Sequence, residues 1–326
     1  MFYVVCFILV GAAIALYFGL SFRRAGGTEF GVTFIKTQAE YFGLDWKKTY
    51  LSILRDLKVR HLRLAGQWNA VEWKRGTYWF GDLDWQVKEA EKVGAKIIMV
   101  VGRRVPRWPE CHDPDWVKSL PPTEVAEAQL KMVAATVEHF KNSSTIIGWQ
   151  VENEPFLEQF GICPPPDPSL FDRELAMVRS LDTRPIIVTD SGELSTWRRT
   201  AHLGDIFGST LYRVVKWRFT KSIYIRYDYF FPPAFFKIKQ WLNGISDERF
   251  IISELQAEPW LIGHVEATSL AEQKKSMSAE QLLKNVETAR RIGAREAYLW
   301  GVEYWYWLKE RKWDSSLYNA AGKIWE

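Results

Sequence analysis

Eight short β-forming runs, each followed by a helical stretch, recur along this chain and leave it few folds. The runs fall at 30–35, 61–64, 96–101, 145–150, 185–189, 205–212, 250–253 and 296–300. Between them, Tyr50, Leu51, Leu54 and Leu57 recur at helical spacing, and Val87, Ala90 and Val93 share one side of a helix predicted over 84–93, with Gly94 as its stop. Pro122 and Thr123 open a helix to about Phe140, helices are predicted over 170–181 and 234–242, and Ser278 with Gln281 makes a capping box for a helix ending at Gly293. A short helical piece precedes the sixth run. The third run, Lys-Ile-Ile-Met-Val-Val, is almost wholly apolar, as a strand covered on both faces requires. Eight strand–helix units in about 300 residues match a (β/α)8 barrel. The rival, an open doubly wound sheet, normally carries a glycine-rich phosphate loop after its first strand, and none is present here.

At 326 residues, 47% of them hydrophobic and with no low-complexity segment, the chain can bury a full core. We divide it into a membrane span or uncleaved signal at 1–22, a linker at 23–29 and the barrel domain at 30–326. Residues 1–20 carry no charged side chain, Arg23 and Arg24 follow directly, and such a run reaches roughly the ~30 Å of a bilayer's hydrocarbon core. Net charge is only +4, with basic residues scattered among acidic ones, so no nucleic-acid partner is indicated. Three cysteines exclude a cysteine-built zinc site. Cys111 and Cys163 fall in loops after consecutive strands; spacing leaves open one bridge, which would argue for an oxidising compartment, or two unrelated thiols. No metal cluster, nucleotide loop or recognisable Ser-His-Asp arrangement implies a cofactor.

Barrel chemistry gathers at the C-terminal strand ends. There the sequence places Arg63 and Trp68 after the second strand, Asn153 and Glu154 after the fourth (within Trp149-Gln-Val-Glu-Asn-Glu-Pro-Phe), Tyr212 after the sixth, Glu254 after the seventh (within Phe250-Ile-Ile-Ser-Glu-Leu-Gln) and Trp300 after the eighth. Over roughly residues 30–310 this set resembles the retaining, cellulase-type glycoside hydrolases of clan A, whose acid/base follows strand four and whose nucleophile follows strand seven. The resemblance implies Glu154 as acid/base and Glu254 as nucleophile of a β-linked oligo- or polysaccharide hydrolase, and Asn153 as the residue that hydrogen-bonds the sugar 2-hydroxyl.

The residues support those roles on their own terms. Retention needs one protonated carboxyl and one carboxylate roughly 5 Å apart. Burial and a like charge would raise the pKa of Glu154, while a cation such as Arg63 would keep Glu254 ionised. Tyr212 can donate to Glu254, and Trp300 offers a flat face to a pyranose ring. Each also has a structural reading: Arg63 as an interior ion-pair partner, Tyr212 and Trp300 as core aromatics. Glu152 and Glu258 compete with Glu154 and Glu254, and Glu152 reads more naturally as a structural ion-pair residue.

Relatives commonly carry a His near the end of strand three and another by the strand-six Tyr. This chain has Val101-Gly-Arg-Arg104 and Ser209-Thr-Leu-Tyr212 there. His112, in the loop after strand three, is a candidate substitute for the first, or a solvated loop histidine. Arg103, Arg104 and Arg107 are candidates for an acidic sugar, or a solvent-facing basic loop. Trp108, Trp116 and Phe160, in long loops after strands three and four, suggest a substrate groove or a lid packed on itself. The expected activity is glycosidic hydrolysis, with transglycosylation open; the rival is a carbohydrate-binding pseudoenzyme on the same barrel. Arg23 and Arg24 taken alone would keep the domain cytoplasmic, whereas a polysaccharide substrate favours the outside, and we expect an extracytoplasmic catalytic domain.

Overall fold

The computed structural model describes residues 27–217 and 223–326, together with Gly11, Tyr17 and Gly19. The expected span at 1–22 and most of the linker lie outside the described residues. Among those that are described, no helix is long and apolar enough to cross a membrane.

Strands β1 (Glu29–Phe34), β2 (His61–Ala65), β3 (Lys96–Val101), β4 (Ile146–Val151), β5 (Ile186–Asp190), β6 (Ile206–Leu211), β7 (Phe250–Gln256) and β8 (Glu296–Trp300) close a barrel in the order β1-β8-β7-β6-β5-β4-β3-β2. All pairings are parallel, and Glu29 against Glu296 through Thr33 against Trp300 seals the ring. The open-sheet alternative is thereby excluded. The expected runs are met to within a residue or two, except that β7 continues to Gln256.

Helices cover the outer face of the strands. The one at Trp46–Arg55 begins at Asp45, whose carboxylate accepts the Lys47 and Lys48 N–H groups that lack an intrahelical partner. Pro122–Phe140 matches its sequence bounds, and Ser278 caps Ala279–Ile292, which stops at Gly293 with φ of 86°. Elements not anticipated are a rim hairpin of Val214–Lys216 with Tyr224–Arg226 and two closing helices, Val302–Arg311 and Ser316–Gly322.

The barrel interior is layered. Ile98, Ile187, Ile251 and Tyr298, from β3, β5, β7 and β8, form an apolar plug. Above it the filling turns polar with Thr33, Arg63, Gln150 and Thr189, joined by hydrogen bonds. One irregularity matters for the site. Ile251 points inward, so strict alternation along β7 would turn Ser253 inward and Glu254 out into the helical layer. The pairings with β6 and β8 both slip here, between Ser209 and Thr210 and between Ala297 and Leu299. The extra residue in β7 restores Glu254 to the interior, a use of a bulge to re-aim a side chain.

Candidate active site

Arg63 organises the centre. It is fully buried, and its guanidinium donates from Nε to Gln150 Oε1 at 2.7 Å, from Nη2 to Asn153 Oδ1 at 2.7 Å and from Nη1 to Glu254 Oε1 at 3.2 Å and Thr33 Oγ1 at 3.4 Å. Tyr212 donates its hydroxyl to the other Glu254 oxygen at 2.9 Å. Glu254 therefore receives a cation on one oxygen and a phenol on the other, so both its oxygens are held by donors.

Glu154 sits in a different environment. Its backbone has φ of 46°, and that of Glu152 has φ of 57°, both in the left-handed region that non-glycine residues rarely adopt. Such conformations cost of order 1–3 kcal/mol each and persist where surrounding contacts hold them. Here the hydroxyl of Thr189, on β5, accepts the Glu154 N–H at 2.9 Å. The turn after β4 thus carries Glu154 into the interior. Burial first, then the charges of Glu254 and Glu110, push its carboxyl well above the usual range, with Arg104 opposing. Glu154 and Glu254 are close enough for each to feel the other's charge, and they differ in what surrounds them.

Asn153 is held from both ends. Its Oδ1 accepts from Arg63 and, at 3.2 Å, from Gln150, while its Nδ2 donates to Glu110 Oε1 at 3.3 Å. Glu110 escaped the sequence reading because its loop, Pro109-Glu-Cys111, carries no motif. It is buried, paired with Arg104 at 2.7 Å, and pushed up to about 7 by burial with help from the Glu254 charge. Gln150 and Thr189 were missed likewise: each is an ordinary strand residue until the barrel closes around it.

The competing carboxylates are fully engaged. Glu152 accepts the backbone N–H groups of Arg103 at 2.7 Å and Arg104 at 2.6 Å, and the amide of Gln129 at 3.0 Å, which makes it a brace for the turn after β3. That brace also leaves no room for a side chain at Gly102, where a Cβ would come within 2.5 Å of Glu152 Oε1. Glu258 pairs with both terminal nitrogens of Arg107.

Several expectations need correction. Trp68 has no face to offer a ligand; it is fully buried, packs edge-on against Trp116 and donates its indole N–H to Glu72 at 2.8 Å. The three loop arginines are neither free for an acidic sugar nor a solvated basic face, since Arg103 pairs with Asp113, Arg104 with Glu110, and Arg107 with Glu258 and Glu303. Trp300 lies at the end of β8, but the Arg107 guanidinium sits 4.3 Å from its ring centroid and covers one face. His112 is not a solvated histidine. Its Nε2 lies 3.1 Å from the Arg107 carbonyl, which can only accept, so the ring donates there and braces the Arg107 backbone; burial lowers its pKa. It contacts Gln67 and not the two central carboxylates.

Cys111 and Cys163 are joined in a disulfide that ties the loop after β3 to the loop after β4, one residue from Glu110. The same loops are stitched by Arg104 to the Phe160 carbonyl at 2.8 Å and by Ile162 N–H to the Pro109 carbonyl at 2.8 Å. Phe160 packs on Trp108 and Trp260, and Trp260 packs on Tyr212, so these loop aromatics form one cluster that reaches Tyr212, whereas Trp116 packs on Trp68.

No family model matches the chain, and no curated protein matches it. Solved structures do. An endo-beta-1,4-xylanase of glycoside hydrolase family 10 from Gloeophyllum trabeum aligns with TM-score 0.58 and 14% identity, covering 92% of this chain and 97% of that one. GH5_18 from Streptomyces cattleya, in complex with GlcNAc, aligns with TM-score 0.58 and 14% identity over 85% of this chain and 70% of that one. Endo-glycoceramidase II from Rhodococcus sp., as its lactosyl-enzyme intermediate, aligns with TM-score 0.54 and 14% identity over 84% and 72%. At such identities the likeness is one of fold, and the fold is the barrel that the alternation of strands and helices led us to expect.

Proposed function

We propose that this chain is a retaining β-glycoside hydrolase acting on an oligo- or polysaccharide, with Glu154 as acid/base and Glu254 as nucleophile. The observation that carries the reading is the asymmetry of the two carboxyls: Glu254 is held by a buried guanidinium and a phenol, while Glu154 is pushed towards its neutral form by burial and by the charge of Glu254. In the first step a Glu254 oxygen attacks the anomeric carbon as the glycosidic C–O bond breaks and Glu154 gives its proton to the leaving oxygen. Glu154, now a carboxylate, takes a proton from water, whose oxygen attacks the anomeric carbon and releases Glu254. A second sugar hydroxyl in place of that water would give transglycosylation by the same residues. Asn153, held by Arg63, Gln150 and Glu110, serves as the partner of the sugar 2-hydroxyl in this reading. His112 and Trp300 act through Arg107 on the rim.

The solved neighbours support this reading through their names: a xylanase, and a glycoceramidase caught as a lactosyl-enzyme intermediate. The disulfide supports an extracytoplasmic catalytic domain, since such bonds persist in oxidising compartments. The test is labelling with a cyclophellitol-type epoxide followed by peptide mapping, alongside turnover of a glycan panel. Covalent label on Glu254 and loss of turnover in Glu254→Gln are expected. Full turnover by that variant would remove the mechanism. The rival reading is a carbohydrate-binding module on the same barrel, against which counts the cover that Arg107 places over one face of Trp300. Glycan binding without label in any sugar configuration would establish that reading.

A further inference from the structure

Three arginines are buried among the described residues, Arg63, Arg104 and Arg213, and the first two each have a carboxylate against the guanidinium. Arg63 meets Glu254 at 3.2 Å and Arg104 meets Glu110 at 2.7 Å. Arg213 is different. It is 1% exposed, and its Nε and Nη1 donate to no group among the described residues. Glu193 and Asp228 are near enough to act on it, yet they do so through charge alone and without a hydrogen bond. A cation stripped of water, of hydrogen bonds and of a contacting counterion is among the costliest groups to bury, so its donors call for a partner.

The local chain explains how Arg213 comes to lie there. β6 ends at Leu211, and Tyr212 turns its hydroxyl to Glu254. Arg213 follows as the root of the rim hairpin: its N–H donates to Gln256 Oε1 at 2.7 Å, and its carbonyl accepts the Tyr227 N–H at 2.8 Å. Val214 pairs with Arg226, which brings a second guanidinium close enough to repel the first. Arg226 Nη2 donates to Asp228 Oδ2 at 2.8 Å, so those two charges neutralise one another. Their leftover atoms, Arg226 Nε and Asp228 Oδ1, are buried and unbonded too, but they lack a hydrogen bond and not a countercharge. Arg213 lacks both.

The other charges nearby do not supply them. Lys239, on the helix Pro233–Leu242, faces Glu193 and Asp190 and donates to the Gly192 carbonyl at 2.7 Å. Asp190 is taken up by the hydroxyls of Ser195 at 2.7 Å and Thr200 at 2.6 Å, and Tyr227 brings only a phenol. Glu193 accepts the Tyr212 N–H at 2.9 Å, and burial pushes it up to about 7, so at lower pH it is neutral and leaves Arg213 uncompensated. Both orphaned nitrogens are shut off from solvent by protein, which favours an occupant of one atom over a sulfate or a carboxylate. We propose that Arg213, at the root of the rim hairpin and beside the turn that carries Glu193, holds one monatomic monovalent anion, a chloride or a bromide. The anion takes the place of the Glu193 charge while that carboxyl is neutral, so its binding weakens as Glu193 ionises. This inference does not rest on the glycosidase reading.

The test is the thermal midpoint of the full chain in detergent, titrated with sodium bromide at an ionic strength held constant with sodium gluconate, whose anion is too large for such a site. A bound anion raises the midpoint with the logarithm of its concentration, whereas gluconate should leave it flat. The apparent affinity for bromide should fall about fourfold from about pH 5.5 to about pH 7.5, a window below the value of about 8 to which burial lowers Lys239. Glu193→Gln should keep the bromide effect and lose that pH dependence. Arg213→Gln should lose the bromide effect itself. Equal midpoints in bromide and gluconate would overturn the proposal, as would an undiminished bromide effect in Arg213→Gln, which would assign it to bulk salt. If Arg213→Gln does not fold, the pH series decides: a fall in affinity that persists in Glu193→Gln, or none in the parent, overturns it equally. No readout involves turnover, so a failed glycosidase assay leaves this result standing, and the reverse.

Discussion

Replacing Arg63 with Met tests the central electrostatic claim. The side chains of Arg63 and Glu254 are 1% and 5% exposed, so removing the guanidinium leaves a carboxylate in a dry interior with only the Tyr212 hydroxyl to hold it. Deleting one partner of a buried pair typically costs 3–5 kcal/mol, because the surviving charge is uncompensated. Part of that loss has another origin. Arg63 also donates to Gln150, Asn153 and Thr33, and losing those bonds costs roughly 1 kcal/mol for each acceptor left bare. Asn153 Oδ1 keeps the Gln150 donor, so roughly 1–3 kcal/mol is assigned to the neutral acceptors. The two contributions separate in a double-mutant cycle. In a Glu254→Gln background Arg63 is itself the uncompensated buried charge, so Arg63→Met should cost at most the neutral share, leaving a coupling of at least about 2 kcal/mol. Urea unfolding of the four proteins at neutral pH gives the number. If the costs add to within about 0.5 kcal/mol, Arg63 does not serve to compensate the Glu254 charge, and the reasoning about that carboxylate fails.

Three further expectations can be checked. Converting Cys111 and Cys163 to Ser frees a link across a sequence separation of 52, for which chain entropy gives about 4 kcal/mol, or roughly 6 °C in the unfolding midpoint of a domain near 300 residues. Activity well below that midpoint should survive, because Arg104 and Ile162 still hold the loops; a shift under about 1 °C would contradict the ring-closure argument. For catalysis, the acid must hold its proton, so kcat/KM should decline as pH rises through the raised pKa of Glu154. Glu110→Gln removes one of the charges that raise it and should move that alkaline limb to lower pH; an unmoved limb would show that Glu110 does not act on the acid. Burial, opposed by Arg213, pushes Glu193 up from 4.5 to about 7. A raised carboxyl favours folding below its unfolded pKa, and that contribution is lost as pH climbs through the folded value. The unfolding free energy of Glu193→Gln should therefore gain on the parent by up to roughly 3 kcal/mol between about pH 4.5 and 7, and a pH-independent difference would refute the assignment.

The sequence determined the barrel and the location of its chemistry, because both depend on local pattern. A run such as 96–101 has the length and apolar content of a doubly covered strand, Ser278 and Gly293 mark helix ends, and Asn-Glu-Pro after a strand sets Glu154 at a strand end. What it left open depends on residues far apart in the chain. Glu152 and Glu154 are equivalent by spacing, and only the backbone amides of Arg103 and Arg104 commit the first to structure. Cys111 and Cys163 pair because two loops cross, and Glu110 gains its raised pKa from a cluster assembled by three strands. The arginines read as free cations until their carboxylates, up to 196 residues away, came into view. Glu254 shows the division most directly. Periodicity places it on the strand, but alternation counted from Ile251 would send it outward, and the bulge that turns it in exists only through its pairing with β6 and β8. Register is a property of neighbouring strands, so no reading of one strand alone can supply it.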